Sequence, residues 1–253
     1  GHMTTVGIRG VDLYRLTDDG WRHVCSGRPS TKSKENSGIL ISNMANEYAE
    51  YMLYLPLYDG VSDVQIGVDR DAEMGYPVAA TPRADRSVVF YGTSITQGGC
   101  ASHPGGAWTN LLSRWHNCEF YNMGFSGNGK GEPAAAEILA SIPNPRCFIL
   151  DYEANSHNTG TRATLEKFLD ILRSKHPEVP ITIISKAPHA STMLAFGADD
   201  IDGTIDDSTK IYSMAGADDQ RPRMSVEQMR EMVERAGFRA VERDTHYNEI
   251  ENK

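Results

Sequence analysis

Two kinds of hydrophobic spacing divide the chain. Up to about residue 70 the apolar positions come in short, alternating runs. Val11, Leu13 and Leu16 precede the turn residues Asp18-Asp19-Gly20, and Trp21, His23 and Val24 resume after them, which predicts a β-hairpin. Residues 48–57 are rich in Tyr and Leu, and Val64-Gln65-Ile66-Gly67-Val68 alternates apolar with polar, so further strands are expected there. The region offers no helix of three turns. Residues 71–86, with Pro77, Pro82 and several charges, read as a linker.

From Ser87 strands alternate with helices. Ser87-Val88-Val89-Phe90-Tyr91 is a compact apolar run ending in Gly92, the form of a strand buried on both faces. Residues 107–115 predict a helix, 119–123 a strand, and 134–142 a helix opened by Pro133. Cys147-Phe148-Ile149-Leu150-Asp151 is the next buried strand. A helix over 161–175 follows, with Leu165, Phe168, Leu169 and Leu172 at helical spacing and Pro177 beyond its end. Ile181-Thr182-Ile183-Ile184-Ser185 completes the series. This succession implies a parallel sheet covered on both faces, a three-layer α/β domain. After about residue 190 the pattern loosens. Residues 197–203 form an acidic loop, 225–236 predict a helix with Ser225 and Gln228 as capping box and Gly237 as stop, and 238–242 predict a last strand.

Composition narrows the classes. The chain has 253 residues, 40% of them hydrophobic, and no apolar stretch long enough for a membrane helix. The formal charge is -9 without a dense Lys/Arg cluster, which argues against a nucleic-acid or anionic-membrane partner. That charge is lopsided: residues 190–253 hold 14 acidic and 8 basic side chains, the first 189 hold 20 and 17. Cys25, Cys100, Cys118 and Cys147 lie far apart, so neither a zinc site nor an iron–sulfur cluster is indicated, and buried reduced thiols are expected. No cofactor is expected. Gly1-His2-Met3 reads as a cloning scar and no signal peptide follows it, so a cytoplasmic location is the expectation.

The candidate chemistry lies at the strand ends. Gly92-Thr93-Ser94-Ile95-Thr96-Gln97-Gly98 directly follows a buried strand, where open α/β sheets bind ligands. Taken alone, Ser94 is equally well a helix cap. Asn122-Met123-Gly124-Phe125-Ser126-Gly127-Asn128-Gly129 follows the next strand and can aim a backbone N–H into the same cleft. Asp151-Tyr152-Glu153-Ala154-Asn155 follows the third, where Asn155 can donate a side-chain N–H. A nucleophile and two oxyanion donors in this order suit acyl transfer.

The blocks GTSITQG, NMGFSGNG and DYEAN resemble the first three blocks of SGNH (GDSL-type) hydrolases. Within that superfamily GVDLYRL at residues 10–16 resembles the GxDLY signature of a subgroup with a β domain before the catalytic one. The resemblance covers roughly residues 6–189. It implies a flavodoxin-like three-layer domain preceded by a β-sandwich-type domain that is short for the subgroup. It also implies Ser94 as nucleophile, with the N–H groups of Ser94 and Gly127 and the Asn155 side chain as oxyanion hole. The expected reaction is ester hydrolysis without a metal, on a small acyl ester such as an acetylated carbohydrate. On this basis residues 4–83 are read as the β domain, 84–190 as the α/β core and 191–253 as a separate acidic segment.

The family supplies the base from a DxxH segment near the C-terminus. None of the eight histidines has an acidic residue three positions before it. The nearest substitute is Asp244-Thr245-His246, with His246 as base and Asp244 as its orienting carboxylate; the competing reading is an exposed tail histidine. His189, His157 and His103 are further candidates. An SGNH scaffold without a working base, retaining at most ligand binding, is therefore the alternative. Residues 193–249 show a second resemblance, through FGADDIDGT and ERDTHY, to the C-terminal part of radical-SAM enzymes of the aminofutalosine synthase type. Their cluster motif is absent, so the expectation drawn is a chimera joined near Ala190, not radical chemistry. Oligomeric state is not legible.

Overall fold

A computed structural model describes residues 3–30, 32–45, 47–76, 84–184, 225–235, 237–242 and 249–250. After the single turn α1 (Thr5–Arg9), β1 (Val11–Thr17) and β2 (Gly20–Gly27) form the expected hairpin, with Gly20 at φ 92° taking the left-handed position at the turn. β3 (Tyr51–Tyr54) pairs with the other edge of β1, giving an antiparallel sheet of order β2-β1-β3. The strand expected at 64–68 does not form. Val64, Ile66 and Val68 are 46%, 60% and 51% exposed, and no strand lies alongside them among the described residues. Alternation specifies a strand only where a partner takes up the backbone hydrogen bonds.

The second sheet contains β4 (Ala84–Gly92), β5 (Cys118–Gly124), β6 (Pro145–Asp151) and β7 (Ile181–Ile183), all parallel and ordered β5-β4-β6-β7. It is the expected α/β layer arrangement. β4 is buried on both faces, as its continuous apolar run requires. On one face Val89 and Tyr91 pack with Phe148, Leu150, Leu139 of α4 (Pro133–Ala140) and Phe168 of α5 (Glu153–Lys175). On the other, Val88 and Phe90 meet Cys118, Phe120 and Trp108 of α3 (Trp108–Trp115). Each such side chain removed from water contributes about 1.5–3 kcal/mol before the cost of ordering it. The helix expected from residue 161 begins instead at Glu153, because its amphipathic stripe marks only the part that packs on the sheet.

The three strand ends are in register. Gly92 pairs with Gly124 of β5 on one side and with Asp151 of β6 on the other. Everything that follows these residues therefore emerges on one edge of the sheet.

α6 (Val226–Arg235) carries the expected capping box: the Gln228 N–H donates to Ser225 Oγ at 3.2 Å, and the Ser225 N–H donates to Gln228 Oε1 at 2.9 Å. The strand expected at 238–242 is absent. Phe238 and Val241 stay 47% and 40% exposed, and among the described residues the stretch meets another segment at its end, where the Ile250 N–H donates to the Glu242 carbonyl at 2.8 Å. The acidic loop at 197–203, His189, Asp244 and His246 lie outside the described residues. No helix among the described residues is long and apolar enough to cross a membrane.

Candidate active site

Ser94 is the first residue of α2 (Ser94–Gln97), one turn long, immediately beyond β4. Thr93 caps the turn, its Oγ1 accepting the Ile95 N–H at 3.3 Å, and Gly98 at φ 106° ends it. Ser94 is half-buried. The turn can lie this low on the sheet because a glycine faces it. A Cβ on Gly124 would stand 2.1 Å from the Gln97 nitrogen, so any larger residue there would push α2 away.

The segment after β5 folds back over the same edge. Its Phe125 N–H donates to the Gly92 carbonyl at 2.9 Å, and the Ser126 N–H donates to Gln97 Oε1 at 2.8 Å. Gly127 follows at φ 71°, a left-handed backbone that favours glycine. Asn155 sits in the first turn of α5 and donates from Nδ2 to the Phe125 carbonyl at 3.0 Å. The structure thus ties the Ser94, Gly127 and Asn155 segments to one another, as their common position after adjacent strands anticipates.

Beneath the Ser94 turn lies a carboxyl that sequence reading passed over. Asp151 Oδ2 accepts the Thr96 hydroxyl at 3.0 Å, and the Asp151 carbonyl accepts the Thr93 N–H at 3.1 Å. Burial pushes the carboxyl up to about 6 against the opposing Thr96 bond, and the charge of Glu153 adds to the rise. Its signal was an acidic residue closing an otherwise apolar strand.

Three of the described histidine rings have partners of their own. His103 has Ser102 Oγ at 2.7 Å from Nδ1 and the Tyr14 hydroxyl at 3.3 Å from Nε2, so both ring nitrogens face hydroxyls. His23 contacts Ser26, and His176 contacts the Ala140 carbonyl. The side chain of His157 is outside the described set, as are His189, Asp244 and His246. Among the described residues no group of three or more His, Cys, Asp or Glu gathers as a metal site. Of the cysteines, expected to be buried, Cys118 is buried, Cys25 and Cys147 are intermediate, and Cys100 is exposed.

The N-terminal sheet docks onto the loop after α2 through its signature residues. Asp12 Oδ2 accepts the Gly105 N–H at 2.6 Å, and the Tyr14 ring fills the space where a Gly105 side chain would go. The Arg114 guanidinium of α3 lies 4.2 Å from the Tyr14 ring centroid.

Comparison with known proteins agrees with this geometry. The model of the GDSL-like lipase/acylhydrolase family matches residues 85–229. The chain belongs to that family. A second model, for the N-terminus of SGNH-hydro-type esterases, matches residues 1–74. The hydrolase match runs across the junction expected near Ala190, and nothing in the comparisons supports a radical-SAM likeness for the acidic segment. A crystal structure described as a GDSL-like lipase from Bacteroides ovatus is similar at 32% identity and TM-score 0.67, covering 92% of this chain and 60% of its own. The salicylyl-acyltransferase SsfX3 from a tetracycline biosynthetic pathway, at 16% identity and TM-score 0.51, covers 90% of this chain and 57% of its own, and is similar in fold alone. The chain therefore spans less than two thirds of either structure's length. No curated protein matches it.

Proposed function

We propose that this GDSL-like chain is a serine esterase that cleaves a small acyl ester through an acyl-enzyme on Ser94. The observation that carries the reading is the joining of three strand-end segments: Gln97 in the Ser94 turn holds Ser126, and Asn155 holds Phe125, so the segments carrying Ser94, Gly127 and Asn155 share one edge of the sheet. In this reading Ser94 Oγ attacks the acyl carbonyl carbon. The resulting oxyanion takes the N–H groups of Ser94 and Gly127 and the Asn155 carboxamide, donors aimed where charge develops. His246 accepts the Ser94 proton and passes it to the departing alcohol, with Asp244 orienting the ring. Water then enters by the same route in reverse and releases the acid. An acetyl group on a carbohydrate is the substrate class we favour. Family membership supports the scheme.

The test is labelling by a fluorophosphonate probe together with hydrolysis of a short-chain aryl ester. Wild type is expected to label and turn over, and Ser94→Ala to lose both, by at least about 10³-fold in rate. His246→Gln is expected to lower turnover by roughly 10²–10⁴-fold. Unchanged turnover would reassign the base, and no Ser94-dependent labelling would leave a scaffold without a working base, the reading that the missing DxxH motif favours.

A further inference from the structure

Residues 57–59 leave the N-terminal sheet and cross to the catalytic edge. Their outer side is tied to α1: the N–H groups of Tyr58 and Asp59 both donate to the Ile8 carbonyl at 3.1 Å, and Asp59 pairs with Arg9 at 2.9 Å. Their inner side meets α2. The Tyr58 hydroxyl donates to the Ser94 carbonyl at 3.2 Å, and the Leu57 side chain packs where a Gly98 side chain would stand. The Ser126 hydroxyl lies beside the Tyr58 phenol as well.

Gln97 is the hub of this arrangement. Its Nε2 donates to the Leu57 carbonyl at 3.1 Å while its Oε1 accepts the Ser126 N–H at 2.8 Å. A carboxamide has one donor end and one acceptor end. A carbonyl on one side and an N–H on the other match it in a single orientation, and a flipped side chain would lose both bonds. The residue it grips directly precedes Gly127, whose left-handed backbone has no side chain to anchor it and no neighbour within 4 Å of its would-be Cβ. Without Gln97, the orientation of the Ser126–Gly127 peptide would rest on bonds made from Phe125 and Asn128.

We propose that Gln97 and Tyr58 are positioning residues through which the N-terminal region sets the Ser126–Gly127 peptide, making that region part of the catalytic apparatus. The consequence for turnover rests on the esterase reading, while the brace itself does not. Gly127 N–H helps only if it points at the oxyanion, and losing one such donor outright costs roughly 10²–10³-fold in rate. A loosened donor costs part of that, in kcat and not in KM, because the oxyanion exists only on the reaction path.

The experiment compares Gln97→Met, similar in size but lacking both bonds, with Tyr58→Phe, which loses one hydroxyl. Amide hydrogen exchange is read at residues 125–129 and along β4 and β6, beside kcat and KM on an aryl acetate. For Gln97→Met we expect Ser126 exchange to rise at least about tenfold, kcat to fall roughly 10–100-fold and KM to stay within about threefold. Tyr58→Phe moves the same quantities in the same direction by about two- to fivefold, and β4 and β6 stay protected. Unchanged Ser126 exchange in both variants, or an equal rise along β4 and β6, overturns the brace. Wild type that neither labels nor turns over defeats the esterase reading instead, and the exchange data alone then decide the brace.

Discussion

In the parallel sheet the most buried side chains of β4 and β6 are Val89, Tyr91, Phe148 and Leu150 at 0% exposure and Phe90 at 1%; on β1 they are Asp12 at 0% and Tyr14 at 5%. Both regions put side chains out of reach of water, but one does it with bulk that is apolar apart from the Tyr91 hydroxyl, and the other with a carboxylate and a phenol. The first arrangement gains free energy from every Å² buried. The second gains little that way, since a buried carboxylate must recover its hydration from directed bonds such as the one from Gly105. The parallel sheet is thus built to be stable and the N-terminal sheet to be attached at a defined place. That place is the loop leaving the Ser94 turn, and the second attachment, through Leu57 and Tyr58, reaches the turn itself.

The contrast can be broken most directly in the core. Phe168→Ala, at a side chain packed on Tyr91 and Tyr152 with 0% exposure, is expected to cost about 4 kcal/mol in urea denaturation. Tyr48→Ala, at 79% exposure in the N-terminal region, should change stability by less than about 0.5 kcal/mol. Comparable losses at the two positions would erase the distinction.

A second effect has the opposite sign. The Asp151 carboxyl moves from its ordinary 3.8 to about 6 in the folded protein, so folding favours its protonated form. The associated stability is complete below pH about 4 and is lost as pH rises through about 6. Asp151→Asn keeps an acceptor for Thr96 and removes that loss. The variant should match wild type near pH 4 and exceed it by on the order of 2 kcal/mol at pH 8 in unfolding titrations at each pH. A gap that widened toward acid instead would show that the carboxylate is stabilised in place.

A smaller expected loss sharpens the account of the N-terminal sheet. Asp12→Ala strands the Gly105 N–H but also relieves a buried Oδ1 without a hydrogen-bond partner among the described residues, so the net cost should be about 1–2 kcal/mol. Hydrogen exchange should locate the loosening at residues 102–107, with β4 unaffected. A loss as large as that of Phe168→Ala would mean that the carboxylate carries more of the fold than its one bond suggests.

Much of this was legible in the chain. Period-two runs bounded by turn residues located the hairpin, continuous apolar runs located β4 and β6, and the Ser225/Gln228 spacing located the cap of α6, because each is a local signal read within a few residues. The strand expected at 64–68 failed because no strand lies alongside it among the described residues. An edge needs a partner, and partnership is not written in the strand that seeks it. The site divides the same way. Ser94, Gly127 and Asn155 stood out because each follows an apolar run, whereas Asp151, Gln97 and Tyr58 are ordinary polar residues until the fold gives them neighbours.

By itself, then, the sequence determined the order of elements, the two-faced burial of the central sheet and the three loops from which acyl-transfer chemistry would come. These follow from spacing and residue type, which act over a turn or a strand. Only the tertiary structure decided that Gly92, Gly124 and Asp151 end in register, that Thr96 leans on Asp151, and that Gln97 spans from Leu57 to Ser126. Those contacts join residues tens of positions apart, and hydrogen bonds of 2.8–3.1 Å depend on packing that no local pattern encodes.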